Sequence, residues 1–344
     1  IAILGIFGLY KIWFILWVIW IMWFFSYKEL SQLWSDVFEK NIQIDNNSHS
    51  ILRTASSEVL FIVLTFLVSV SLISVFRPFP IGWDDLWAYM NIPRLLAQSG
   101  DFMSFGGMFS WQSFTWIGYL FGSATLAFFF NNMGWLLSAL LMYLLSRDLL
   151  QWKNKTFINI PLLLTTIFMA MPMVIFEQAK DMKLDPGLFF VSITSVYVLY
   201  KTLLTKNIRQ PLYVFFVLGI LVWFTFSIKF TSLMLISAVF GVLFFERLGR
   251  FGFLWYTGLF IAVFTQFDLW SYLSISYPQD DASLLSFIVY ISLGLSAVFF
   301  VMAYYRKHIN MALFWKQIMV VWLWIMFALS PWITKNLYQA KWDI

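Results

Sequence analysis

Apolar residues run along this chain in blocks too long for a soluble fold and too continuous for alternating strands. Residues 1–25 are apolar except for Lys11, which can snorkel or mark a helix end. Residues 26–53 are polar and of mixed charge, a loop with room for a short surface helix. A second block, 56–76, stops at Arg77-Pro78-Phe79-Pro80, where each proline lacks a donor and restrains the residue before it. Later blocks at 157–176, 187–204, 212–228, 230–245, 251–267, 283–303 and 311–330 predict membrane-crossing helices. About 20 apolar residues suffice to cross the hydrocarbon core. A β-barrel would alternate over segments of about 10 residues instead.

Between the second block and residue 157 the pattern is less plain. Residues 85–98 have helical spacing, with Leu86, Tyr89, Met90, Pro93 and Leu96 near one face and Asp84 placed to cap the start. Gly100, Gly106 and Gly107 close that segment. Residues 108–147 can form two short spans divided at Asn131-Asn132, or an interfacial or re-entrant helix over 111–121 followed by one span, 123–146. Charge selects between them. Basic loops (Arg147, Lys153, Lys155; Lys201, Lys206, Arg209; Arg247, Arg250; Arg306, Lys307, His308) alternate with the acid-containing segments 177–185 and Asp268, Asp280, Asp281. The positive-inside rule puts the basic set in the cytoplasm. Alternation then holds if two short spans meet near residues 227–229 and a single span separates Asp85 from Arg147. The expected topology has about ten spans, with 108–121 interfacial and Asp84-Asp85 outside.

Composition agrees with this picture. The chain has 344 residues, of which 61% are hydrophobic and 11% charged, and mean hydropathy is +0.80. A soluble domain carries about 25% charged residues. The 40 Phe and 19 Trp suit lipid-facing helices with interfacial aromatic belts. There is no Cys, so disulfides and Cys-metal sites are excluded. The chain starts at Ile1 within an apolar block and stops at Ile344, and is expected to be a fragment of a longer protein. The net charge of +5 is accounted for by topology rather than by nucleic acid.

On the expected topology the outer face collects Asp84, Asp85, Arg94, Glu177, Lys180, Asp181, Lys183, Asp185, Lys229 and residues 331–344. Charges at a membrane boundary are costly and tend to mark substrate paths. Asp84 and Asp85, flanked by Trp83, Trp87 and Tyr89, read either as a helix cap with a solvated acid or as a general base. Two carboxylates this close cannot both ionise freely, so one pKa should rise toward the working range of a base. In 177–186, Lys180 or Lys183 beside Asp181 or Asp185 forms either a solvated loop of alternating charge or a phosphate grip. Lys183 and Asp185, immediately before a span, are the preferred pair. Lys229, alone in an apolar stretch, either snorkels or meets a lipid phosphate as a point charge. No Gly-rich nucleotide loop and no metalloprotease His pair is present; His49 and His308 fall in the expected cytoplasmic loops.

Asp84-Asp85 with Tyr89, Pro93 and Gly100 resembles the first outer loop of the polyprenyl-phosphate-sugar-dependent glycosyltransferases of GT-C architecture, such as protein O-mannosyltransferases and aminoarabinose transferases. Lys183-Leu184-Asp185 resembles that family's later acidic motif at a span entrance. Ile228-Lys229-Phe230-Thr231 resembles its Lys-aromatic-Thr pattern, and Pro331 to Asn336 the lead into an outer C-terminal region. The resemblance covers roughly 61–336 and implies an all-α, GT-C-like polytopic bundle whose outer loop bears interfacial helices. It also implies inverting transfer of a sugar from a lipid-phosphate donor to a lipid, glycan or protein acceptor. Asp84 would be the base, with Asp85 its neighbour or alternative. Lys183 and Lys229 would face the leaving phosphate, with Lys180, Asp181 and Asp185 as further phosphate-site candidates. No cofactor is expected, although the carboxylates leave room for a divalent metal. Residues 1–54, a span and a cytoplasmic loop, are additional to the family pattern; residues 55–344 form the catalytic domain. The expected location is a bacterial cell membrane with the site facing outward. The alternative is a transporter, or a flippase or polymerase of lipid-linked glycans. A transporter predicts charges in mid-span and an internal repeat, and neither is evident.

Overall fold

A computed structural model describes residues 49–76, 89–99, 111–150, 159–180, 182–204, 212–270, 282–306 and 311–340, with isolated residues between 13 and 31. The described residues are helical, with no strand among them. From His49 onward the described residues form, in order, the helices α1 His49–Val75, α2 Asn91–Ser99, α3 Gln112–Leu120, α4 Ala124–Leu150, α5 Ile160–Ala170, α6 Pro172–Lys180, α7 Asp185–Leu204, α8 Leu212–Ile228, α9 Leu233–Gln266, α10 Ala282–Arg306 and α11 Met311–Ala340. A 3-10 turn, Phe230–Ser232, lies between α8 and α9. Among the described residues, four stretches are long and apolar enough to cross a membrane: Ala55–Val75, Ala124–Leu150, Asp185–Leu203 and Ser283–Tyr305. Ile160–Ala170, Tyr213–Ile228 and Ala312–Phe327 are apolar but shorter. The chain divides into two compact units, 1–193 with 331–344, and 194–330.

In the first unit α3 and α4 form a hairpin. Gly122 takes a positive φ of 70° at the turn, and a Cβ on Gly118 would strike the backbone of Ala127. Ser123 Oγ accepts from the Leu126 N–H at 3.1 Å and so caps α4, a contact of the kind that contributes about 1 kcal/mol. The helix expected over 111–121 is thus present as α3. It is nine residues long, about 14 Å at 1.5 Å per residue, too short to cross a bilayer. Its Thr115, Trp116 and Ile117 are buried, and Trp116 and Ile117 pack with Leu96 of α2. The alternative of two spans divided at Asn131-Asn132 is not what the chain does, because both residues lie inside α4. A second core joins α1, α4, α5 and α6 around Trp135, Ala139, Phe168, Met169 and Val174.

Several expected boundaries move. The block 157–176 is broken: α5 ends at Ala170, Met171 is extended (ψ 132°), and α6 restarts at Pro172. A residue preceding proline is pushed out of the helical region, which explains the break. Residues 177–180, expected in a loop, belong to α6. The helix of α1 begins at His49, within the segment expected to be a loop; of the helix expected over 85–98, residues 91–98 belong to α2, and 85–88 lie outside the described residues. At the other end α11 continues through Pro331 to Ala340 instead of stopping at Ser330. Pro331 has no N–H to offer the Phe327 carbonyl, and Ser330 Oγ donates to that oxygen at 2.7 Å.

In the second unit α9 is two helices. Gly249 is non-helical (φ 70°, ψ −165°), and Phe244 meets Trp255 and Tyr256 with ring centroids 5.3 and 5.0 Å apart. Eleven residues of straight helix would separate Phe244 from Trp255 by about 16 Å, so the chain turns back at Gly249. The two spans expected at 230–245 and 251–267 are therefore an antiparallel hairpin whose turn carries Arg247 and Arg250. Its second half packs closely on α10: Gly258 faces the Ser292 carbonyl and Ser296 Oγ donates to the Trp255 carbonyl at 3.0 Å. Small residues permit this close approach between membrane helices. Gly219 of α8 likewise abuts Val321 and Trp324 of α11.

Candidate functional site

The expected site residues divide by where they stand. Asp84, Asp85 and Asp181 lie outside the described residues. Lys180 is the last residue of α6, and its side chain also lies outside them. Lys183 and Asp185 are half-buried, Lys183 just before α7 and Asp185 as its first residue. An acidic group there is favoured by the partial positive charge of the helix N-terminus. Pro186 follows, suited to a first turn because its missing N–H would have no intrahelical partner. Lys229 is exposed between α8 and the 3-10 turn, in the second unit. The chain therefore breaks its helix close to where two short spans were expected to meet.

What the first unit does bring together is the setting of Lys183 and the two ends of the Asp84-Asp85 loop. Met182, 1% exposed, packs in one cluster with Val75, Ala127 and Phe128, and Tyr89 and Met90 pack against the same cluster. Val75 ends α1, before that loop; Tyr89 and Met90 follow it. The segment continues along α4. Pro186 lies against Gly134, whose missing Cβ leaves the space for it, and Gly187 lies against the Trp111 ring. Residues 182–187 are therefore held on α4 at Ala127-Phe128 and again at Gly134.

Between those two levels sits a group of buried polar side chains absent from the expected site. Asn131 and Asn132 are each 1% exposed and Gln112 is 3% exposed. Trp111 Nε1 donates to Asn131 Oδ1 at 3.0 Å. Asn132 Nδ2 reaches Ser74 Oγ at 3.5 Å, and Ser74 Oγ donates to the Ser71 carbonyl at 2.6 Å. The indole N–H fixes which end of the Asn131 amide is oxygen. Among the described residues nothing accepts from Asn131 Nδ2, and nothing donates to Gln112 Oε1. Leaving such a buried group unpaired costs about 1–3 kcal/mol. The sequence did carry a trace of this group, namely two adjacent amides inside an apolar block and a Trp-Gln pair at a helix start. Hydropathy alone reads the amides as a divider.

Compared with protein-family models, with curated proteins and with solved structures, the chain matches none.

Proposed function

We propose that this chain is a membrane glycosyltransferase, using a polyprenyl-phosphate sugar as donor and working at the outer face of a bacterial cell membrane. It would have a GT-C-like arrangement of about ten spans, counting the shorter apolar helices, both halves of α9 and residues 1–25. One observation carries the reading: Met182, the neighbour of Lys183, shares a packed cluster with both described ends of the Asp84-Asp85 loop. That packing supports a carboxylate base and a phosphate-facing lysine working in one place.

In this mechanism Asp84, or Asp85 in its stead, removes the proton from the acceptor hydroxyl. The oxygen attacks the anomeric carbon, and the bond from that carbon to the phosphate oxygen breaks. The lipid phosphate leaves with the bonding electrons. Its charge calls for a fixed cation, the part assigned to Lys183, with Asp185 beside it. Lys180 and Asp181 are nearby in sequence and are secondary candidates. Lys229 belongs to the second unit and is tested separately. No cofactor is required, although the paired carboxylates leave room for a divalent metal. The acceptor is a lipid, glycan or protein.

Membranes containing the full chain, supplied with a panel of radiolabelled polyprenyl-phosphate sugars, test the reading. Asp84→Asn should lower transfer by about 10²–10⁴-fold, the usual contribution of a general base. Lys183→Met should lower it by about 10²–10³-fold, the effect of losing one charge-stabilising contact. Both proteins should remain at normal abundance. Undiminished transfer by the double variant Asp84→Asn, Asp85→Asn would remove the catalytic assignment, and Lys229→Met reports whether that lysine contributes.

A further inference from the structure

Three cations of the second unit, Arg247, Arg250 and Lys316, come to one end of it, where α10 also ends at Arg306. α10 runs antiparallel to the second half of α9, with Gly258 against the Ser292 carbonyl and the Phe251 and Phe299 ring centroids 6.4 Å apart. Arg250, at the bend, is therefore level with the last two turns of α10. The ring of Phe244 meets that of Phe314 at 5.2 Å, and Trp255 meets Trp315 at 6.1 Å. Those contacts bring the first turns of α11, and with them Lys316, to the same end. Helical side chains lean toward the helix N-terminus, and a lysine stem carries its ammonium group outward along apolar surface. Both tendencies favour the bend as the place where the Lys316 charge is met.

Among the described residues of the unit, the carboxylate at that end is Glu246, so positive charge is in excess there. The opposite ends of the same helices carry Lys229 and Asp268, one of each sign. Arg250 and Lys316 are both exposed, and among the described residues neither forms an ion pair with a carboxylate. The Arg250 guanidinium lies 5.1 Å from the centre of the Phe251 ring, a contact that steadies it while its fork of N–H groups matches a phosphate. Around these cations the surface is apolar and aromatic, with Phe245, Phe253, Tyr304, Tyr305 and Trp315 exposed. A free anion would meet only the charge. An anionic phospholipid meets the charge with its phosphate and the aromatic surface with its glycerol and chains. We propose that this end of the second unit collects anionic phospholipid headgroups, with Arg250 and Lys316 meeting their phosphates and Arg247 adding to the attraction. This binding is independent of sugar transfer.

Because the chain has no Cys, a single dye can report from either end of α10. Bimane is attached at Tyr305→Cys, beside the cations, or at Phe287→Cys, toward the other end; both positions are exposed. The full chain is placed in vesicles of phosphatidylcholine mixed with brominated phosphatidylglycerol or with brominated phosphatidylcholine, and quenching gives the relative affinity for the two lipids. The dye at 305 should prefer the anionic lipid by at least about 10-fold, and the dye at 287 by less than about 2-fold. Arg250→Gln and Lys316→Gln should each lower the preference at 305 about 5-fold, the effect of one cation near an anionic surface, and Arg250→Lys should keep it. Raising sodium chloride from about 0.1 to about 1 M shortens the screening length from about 10 to about 3 Å and should weaken the preference. Equal preference at the two dyes overturns the proposal, as does full preference in the double variant Arg250→Gln, Lys316→Gln. So does sodium phosphate that abolishes the preference at an ionic strength where sodium chloride leaves it, because the cations then hold a free anion. Should a Gln variant fail to fold, the difference between the two dyes in the chain with its cations intact decides.

Discussion

Gly187 shows how tightly the candidate site is built at the residue scale. A Cβ there would enter the Trp111 ring, whose N–H holds Asn131. Gly187→Ala should therefore destabilise the protein by about 1–3 kcal/mol, the usual cost of overpacking, and lower its melting temperature in detergent. Gly294 provides the contrast, because a Cβ at that position meets nothing within 4 Å. Gly294→Ala should leave the melting temperature unchanged or raise it, since alanine favours a helix by up to about 1 kcal/mol over glycine. Residue chemistry was partly legible before any fold was known. Lys183 and Asp185 stood out because charges at a span entrance are few. Asn131 and Gln112 did not, because a polar residue buried within a span and one that divides two spans leave the same mark on a hydropathy profile. Only the Trp111 contact across the α3–α4 hairpin distinguishes them.

At the scale of elements, span positions were largely readable and their ends were not. The expected span at 212–228 coincides with α8, Leu212–Ile228, because a polar segment precedes it and Lys229 follows. The span expected at 157–176 failed at Pro172, whose effect on Met171 is local and was overridden in the reading by continuous apolar content. Pro331 had the opposite outcome: the helix goes through it, with the Ser330 hydroxyl answering the carbonyl that proline cannot. A proline thus reads as a break or as a passage according to its neighbours. Gly249 is the third case. Its φ of 70° with ψ of −165° belongs to a region populated essentially by glycine. Gly249→Ala should cost about 1–3 kcal/mol, visible as a lower melting temperature and faster proteolysis at the turn between Arg247 and Arg250.

For the whole molecule, the membrane assignment was legible from composition and block length, and four helices among the described residues are long and apolar enough to carry it. The number of spans was less so, since α3, α5, α6 and the halves of α9 are too short to be counted by length alone. The sidedness of the loops is an expectation from charge, and the chain offers a clean test because it has no Cys. In intact cells, a cysteine replacing Asp101 should react with a membrane-impermeant maleimide. One replacing Lys206 should react only after permeabilisation. Reaction of the residue-206 cysteine in intact cells, with protection of the residue-101 cysteine, would invert the topology and put the tryptophan-flanked aspartates in the cytosol.

The fold-back at Gly249 also bears on how the chain enters the bilayer. Each arm is only about 24–25 Å long at 1.5 Å per residue, and the bend carries two permanent cations. Dragging either guanidinium through the lipid centre costs about 2.5–3.5 kcal/mol on insertion scales. If both arms span the bilayer, neither gains by threading alone; the two are then expected to slide in together, bend last, with the arginines kept on the side from which synthesis delivers them.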